Sequence, residues 1–242
     1  LERYPPTISA GQAQRTSLAR ALVRRAPITL LDEPMSQLEP QLRAILRARI
    51  KDYLIAHRMT TVFVTHDQTE AIALADRIAV MEQGVLQQYA PPASLKEEPA
   101  NLFVASFIGE PPMNVVEARR VDGPALEALA PDGSVAFQVP LPATAGLGQG
   151  ERFKLGIRPH RIRLGEPQGQ PAAVLSNQWL GDQLHLALEL GGCFLVAVAH
   201  RRIEAPIGST VAVTLPPAAA ELLRIVVRNM TRPENRSAKS EH

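Results

Sequence analysis

Apolar and polar positions alternate along this chain in two rhythms, and the rhythm changes near Val115. Before that point the helical period dominates. Leu18, Ala21 and Leu22 share one face, with Arg15, Arg20 and Arg24 elsewhere, which predicts a helix over Gln12–Arg25 that stops short of Pro27. The apolar run Ile28–Leu31, bounded by Pro27 and Pro34, predicts a strand buried on both faces of a parallel sheet. Leu42, Ile45, Leu46, Ile50, Tyr53 and Leu54 then keep helical spacing to about Ala56, with Pro40 suited to the first turn and Glu39 near the cap. Thr61–Val64 predicts a second strand, and a helix follows through Ala75. Ile78–Met81 and Val85–Gln88 predict a hairpin turned by Gly84. Beyond Pro91 and Pro92, Ser94–Lys96 predicts a short turn and Ala100–Ile108 a small helix.

After Val115 proline and glycine rise, helical spacing fades and the period becomes two. Leu184–Leu190 alternates about a half-buried sheet, and Gly191-Gly192 turns it into Phe194–Val198. Phe153–Ile157, Ile162–Leu164 and Val211–Leu215 add further strands, so a small barrel is expected. Thr231–His242 has almost no apolar content and predicts a disordered tail.

At 242 residues with 45% apolar content the chain suits one large or two modest domains. The net charge of +2 is dispersed, so no nucleic-acid partner is expected. A single cysteine, Cys193, excludes an intramolecular disulfide and reads as a buried strand residue. The densest apolar run, Cys193–Ala199, is too short to span a bilayer, so any work at a membrane requires docking onto something that does. His160, His185 and His200 match no metal-ligand spacing and lack a cysteine pair. Trp179 could stack on a sugar, but a lone tryptophan more often serves core or interface.

The candidate chemistry lies in the first segment. The strand to Leu31 stops at two adjacent carboxylates, Asp32 and Glu33, where open α/β sheets place their ligands. Two acids there call for a cation or reacting group, although Asp-Glu-Pro can also be an ordinary strand-ending turn. Ser9–Gln12 is a small-residue turn opening a helix, and a helix N-terminus suits phosphate. A lone histidine is more often a satisfied structural residue than a catalytic one, but His66 ends the second strand of the same sheet, which makes it a better candidate.

Taken together these pieces resemble the ATP-binding cassette (ABC) ATPases. Ser9-Ala10-Gly11-Gln12 resembles their signature, Leu30–Glu33 their Walker B strand, Ser36-Gln37-Leu38-Glu39 their D-loop and His66 their switch histidine. The stretch Phe103–Gly109 ending in Pro112-Met113-Asn114 resembles the domain end of the importers for sugars, polyols and glycerol phosphates, the maltose-type branch. Gly156-Ile157-Arg158-Pro159 and Leu180-Gly181-Asp182 resemble the regulatory barrel appended to them. The implied fold class is α/β: the C-terminal part of a P-loop NTPase-type ABC ATPase domain over 1–112, then an all-β oligonucleotide-fold-like regulatory barrel over 115–230, then the tail over 231–242.

The resemblance implies ATP and Mg²⁺ as cofactors. Asp32 would hold Mg²⁺ through water, Glu33 would position or deprotonate the attacking water, and His66 would contact the γ-phosphate. Ser9, Ala10, Gly11 and Gln12 would complete the site of a facing subunit, so a homodimer is expected. Ala10 stands where the family usually has glycine, and Glu39 where it usually has aspartate. The implied function is a motor subunit of an importer of carbohydrate, polyol or glycerol-phosphate-like solutes. It would lie at the cytoplasmic face of the inner (plasma) membrane, bound to integral permease subunits and served indirectly by a periplasmic or extracellular solute-binding protein. Two alternatives remain: a catalytically silent regulatory or nucleotide-sensing module, and a non-transport ABC ATPase. A P-loop requires a lysine after glycine, yet Lys51, Lys96, Lys154 and Lys239 follow Ile50, Leu95, Phe153 and Ala238. The sequence is therefore expected to be the back portion of a longer protein, inactive alone.

Overall fold

A computed structural model describes residues 4, 7–123, 125–140, 149–216 and 220–223, the last stretch by its backbone alone. The expected tail over 231–242 lies outside the described residues. The chain divides into two compact units, Leu1–Glu110 and Pro111–His242.

The first unit starts on a reciprocal cap. Ser9 Oγ accepts from the Gln12 amide at 3.2 Å, and Gln12 Oε1 accepts from the Ser9 amide at 3.2 Å. This capping box satisfies two orphan donors and starts helix α1 at Ala10–Val23, two residues earlier than its apolar face alone suggests. Strand β1 (Ile28–Asp32) and strand β2 (Thr60–Val64) pair in parallel, with Leu30 opposite Val62 and Asp32 opposite Val64. Helix α2 (Pro40–Ala56) has its proline in the first turn. Glu39 occupies the cap position but makes no side-chain cap bond. Helix α3 (Gln68–Leu74) is capped by Asp67, whose Oδ1 accepts from the Thr69 and Glu70 amides at 2.8 and 3.1 Å.

Leu18, Leu31, Met35, Leu38, Ile50 and Leu74 form the core beneath this strand pair. The expectation that β1 is buried on both faces fails. Its residues alternate, with Thr29 and Leu31 inside but Ile28 62% and Leu30 74% exposed. The physical reason is the period of two: Leu31 and Phe63 point into the core, while Ile28, Leu30, Val62 and Val64 share an opposite face left uncovered among the described residues. Strands β3 (Ile78–Glu82) and β4 (Val85–Ala90) make the expected hairpin, with both turn residues, Gln83 and Gly84, at positive φ. Short helices α4 (Pro92–Glu97) and α5 (Leu102–Phe107) cover a smaller core of Val80, Leu95, Val104 and Ile108.

The second unit is all-β. Its strands are β5 (Asn114–Arg120), β6 (Ala125–Leu129), β7 (Val135–Pro140), β8 (Arg152–Ile157), β9 (Arg163–Leu164), β10 (Gln170–Trp179), β11 (Leu184–Leu190), β12 (Cys193–Ala199), β13 (Thr210–Thr214) and β14 (Ala220–Leu223). They form two five-stranded antiparallel sheets, in the orders β12-β11-β10-β13-β9 and β14-β8-β5-β6-β7. Both sheets contribute to one apolar interior that includes Leu126, Val139, Leu155, Ile157, Leu186, Leu188 and Leu195. Gly191 and Gly192 turn β11 into β12 with φ 55° and 84°, and a Cβ on Gly191 would collide with the Ala136 carbonyl. Cys193 is buried, and its thiol donates to the Leu129 carbonyl at 3.4 Å. Burial pushes that thiol up from its ordinary value.

Besides Cys193, the buried Asn114 side chain joins the two sheets. Asn114 Nδ2 donates to the Ile157 and Val196 carbonyls at 3.0 and 2.9 Å, and its Oδ1 accepts from the Val196 amide at 2.6 Å. It thereby pairs with β12 as a strand neighbour would, although it belongs to the other sheet.

Two predictions follow from these packing facts. Asn114→Ala leaves the part-buried Val196 N–H and C=O without their side-chain partner and should destabilise the second unit by about 2 kcal/mol. Denaturant unfolding followed by the fluorescence of Trp179, the sole tryptophan, measures that loss, and a midpoint equal to the parent's contradicts it. Because Leu30 and Val62 are exposed neighbours, the pair Leu30→Thr, Val62→Thr should reduce self-association of the 242-residue chain, scored by light scattering, without unfolding it.

Candidate functional site

The parallel register of β1 and β2 brings two distant residues together. The Glu33 amide extends the ladder by donating to the Val64 carbonyl at 2.9 Å. Glu33 then turns with φ 46°, a left-handed conformation that costs a non-glycine residue on the order of 1–3 kcal/mol. That turn aims its carboxylate back across the strand ends. Glu33 Oε1 accepts from His66 Nδ1 at 2.7 Å and from the His66 amide at 3.2 Å. The bond to Glu33, and then the Glu33 charge, hold the His66 imidazole above its ordinary value. His66 is otherwise open, with 76% of its side chain exposed against 36% for Glu33.

The segment around His66 is braced. Burial would raise the Asp67 carboxyl, but the Glu70 and Thr69 amides and the Arg43 guanidinium outweigh it and hold the group below its ordinary value. Arg43 Nη1 bonds Asp67 Oδ2 at 3.2 Å, its Nη2 donates to the Leu38 carbonyl at 3.2 Å, and its Nε lies 3.6 Å from Glu70 Oε1. Glu70 is buried and accepts from the Thr65 hydroxyl at 2.8 Å. Arg43 therefore ties the Ser36–Glu39 loop to the segment carrying His66.

The remaining candidates sit nearby in the same unit. Asp32 is exposed at the end of β1. Ser9, Ala10, Gly11 and Gln12 form the N-terminus of α1, where Ser9 and Gln12 cap each other. A Cβ on Gly11 would lie 3.0 Å from the Gln37 carbonyl oxygen and 3.5 Å from Leu38, so glycine lets α1 approach the loop closely. No hydrogen bond among the described residues joins Ser9–Gln12 to Asp32, Glu33 or His66. The link runs instead through Gln14, whose Nε2 donates to the Glu33 carbonyl at 2.8 Å and to Ser36 Oγ at 3.1 Å. Gln14 Oε1 accepts from the Gln37 amide at 2.9 Å.

Sequence reasoning missed Gln14, Arg43 and Glu70. Gln14 lies one helical turn inside α1 with no spacing to mark it, and Arg43 reads as one of many solvated helix arginines. Asp67-x-x-Glu70 did carry a signal, since it has the form of a capping pair. His160, His185 and His200 do not gather, and no group of three or more potential ligands forms a metal cluster among the described residues. Trp179 packs on the core of the second unit, with the Arg202 guanidinium 5.3 Å from its ring centre.

Comparison with known proteins adds the following. The ABC transporter model matches residues 1–36 and the TOBE domain model residues 155–223. An uncharacterized ABC transporter ATP-binding protein, y4oS, of Sinorhizobium fredii is 41% identical over 219 residues, covering 88% of this chain and 57% of that protein. The sn-glycerol-3-phosphate import ATP-binding protein UgpC of Yersinia pestis is 38% identical over 227 residues, covering 90% of this chain and 60% of that one. GgtA of Synechocystis, an osmoprotective compounds uptake ATP-binding protein, is 40% identical over 191 residues, covering 76% and 52%. The chain thus spans roughly half to three-fifths of the length of these relatives. Among solved structures, the molybdate-bound cytoplasmic molybdate-binding protein ModG aligns with a TM-score of 0.37 at 12% identity, over 45% of this chain and 94% of that one. On the match to the ABC transporter model over residues 1–36, the TOBE match over 155–223 and relatives 38–41% identical across 88–90% of its length, the chain belongs to the ATP-binding family of ABC transporters.

Proposed function

We propose that this chain is part of the ATP-hydrolysing motor subunit of an ABC importer for a carbohydrate, polyol or glycerol-phosphate-like solute. The observation that carries the reading is the Glu33–His66 pair at the carboxyl ends of two parallel strands. The names of the UgpC and GgtA relatives support import as the process and glycerol phosphate as one solute class. Residues 1–112 belong to the ATPase domain, 115–230 to a regulatory barrel and 231–242 to a tail.

Hydrolysis requires a water to attack the γ-phosphate while negative charge builds on the phosphate oxygens. Glu33 is the base: one oxygen is held by His66, and the other, Oε2, makes no hydrogen bond among the described residues and is left for the water. The attacking oxygen forms the new P–O bond, its proton goes to Glu33, and the β–γ bridging oxygen leaves with ADP. His66 orients Glu33 through Nδ1 and turns Nε2 outward. Its raised protonation favours an Nε2–H that donates to a γ-phosphate oxygen. Asp32 is an exposed hard oxygen donor beside Glu33, which fits Mg²⁺ held through water. The ion, when bound, neutralises phosphate charge. Ser9, Ala10, Gly11 and Gln12 face ATP on a second subunit, so the active species is a homodimer. It docks on permease subunits at the cytoplasmic face of the plasma membrane, and a solute-binding protein delivers cargo to the permease.

The exposed face of Ile28, Leu30, Val62 and Val64 supports an ATPase domain whose phosphate cradle and covering elements come from the part of the relatives that this chain does not span. In the full-length protein, Glu33→Gln should keep ATP binding while turnover falls by about 10² or more, read by single-turnover hydrolysis beside equilibrium binding. His66→Ala should also lower turnover, and wild-type rates in both variants would return the pair to a structural role. Residues 1–242 alone contain no glycine–lysine phosphate cradle and should bind ATP only weakly by calorimetry, without hydrolysing it. Tight binding by this chain would overturn the division of roles.

A further inference from the structure

We propose that Gln14 is a positioning residue: by gripping the turn at Glu33–Gln37 it fixes the direction of the Glu33 carboxylate and ties helix α1 to the Glu33–His66 pair. The ATPase role of that pair is the reading given above, whereas the grip itself stands on geometry.

Three bonds from one amide reach three residues, Glu33, Ser36 and Gln37, of one turn. Gln14 Nε2 reaches the Glu33 carbonyl at 2.8 Å and Ser36 Oγ at 3.1 Å, while Oε1 receives the Gln37 amide at 2.9 Å. The Ser36 hydroxyl donates to the same Glu33 carbonyl at 3.1 Å. On its other side, the Glu33 amide is fixed by the Val64 carbonyl at 2.9 Å. Both peptide planes flanking Glu33 Cα are therefore pinned, and the Cα–Cβ direction follows from them. That matters because Glu33 is left-handed, with φ 46°, a conformation its side chain disfavours and would leave if released. Relaxation to an ordinary φ would turn the carbonyl from Gln14 and swing the carboxylate from both His66 donors. Gly11, one turn earlier on α1, provides the access, since a Cβ there would press on the Gln37 carbonyl. A movement of the signature helix is thus delivered to the carboxylate through the Gln14 side chain, without a hydrogen bond between Ser9–Gln12 and Glu33 among the described residues.

The test compares Gln14→Leu and Gln14→Glu in the 242-residue chain by amide hydrogen exchange, read in dilute solution at single residues. Glutamate keeps the length of the side chain and the acceptor for the Gln37 amide but puts a charged oxygen in place of the donor, so it serves where leucine impairs folding. The Gln37 amide reports the grip, and the His66 amide, which donates to Glu33 Oε1, reports the carboxylate. Exchange at His66 should quicken about tenfold in both variants, and at Gln37 about as much in Gln14→Leu. Amides in α2 and at Val196 should stay unchanged. Faster exchange at Gln37 with an unmoved His66 would make Gln14 a strut for the loop alone and overturn the proposal, as would no change at either. A second arm measures the full-length ATPase, where Gln14→Leu should lower kcat about tenfold while KM for ATP stays within about twofold. Absence of hydrolysis by the wild type would defeat the ATPase reading and leave the exchange result to decide on Gln14.

Discussion

The first unit depends on a parallel pairing of two short strands. Parallel strands end on the same side, so whatever follows β1 must meet whatever follows β2. Residues 33 and 66 become neighbours for that reason, and everything nearby serves to hold the meeting point. The Val64 carbonyl takes the Glu33 amide, Arg43 holds Asp67 and Glu70, and Gln14 holds the turn from α1. Glu70 shows what this bracing involves. A buried carboxylate is unfavourable unless paired, and here a hydroxyl and a guanidinium both face it.

Much of this is legible in the sequence. The strand ends, the start of α2 and the two hairpins follow from local rules acting within a few residues: Pro40 in a first turn, Gly84 and Gly191-Gly192 at positive φ. The Glu33–His66 meeting was legible because strand termini in such sheets gather functional groups. Burial of β1 was not, because an apolar strand reads the same whether one face or both are covered. Ile28 and Leu30 carry the composition of an interior strand while standing open among the described residues.

Gln14 and Arg43 were illegible for a different reason. Their roles depend on which backbone groups lie within reach after folding, and glutamine or arginine on a helix surface carries no mark of that. Asn114 is the same case in the second unit. Its place in the Pro112-Met113-Asn114 stretch resembled the end of a domain, yet its side chain does the work of a sheet neighbour.

That amide has a temporal consequence. Asn114 opens the first strand of its unit, but its partner Val196 lies 82 residues further along the chain. At a synthesis rate of about 5–20 residues per second, the ribosome takes roughly 4–16 s to make the intervening segment. Throughout that interval the bonds of Asn114 to Val196 cannot form, although its bond to the Ile157 carbonyl becomes available 43 residues along. The Asn114 bridge between the two sheets is therefore completed late, after β5–β8 can already have paired.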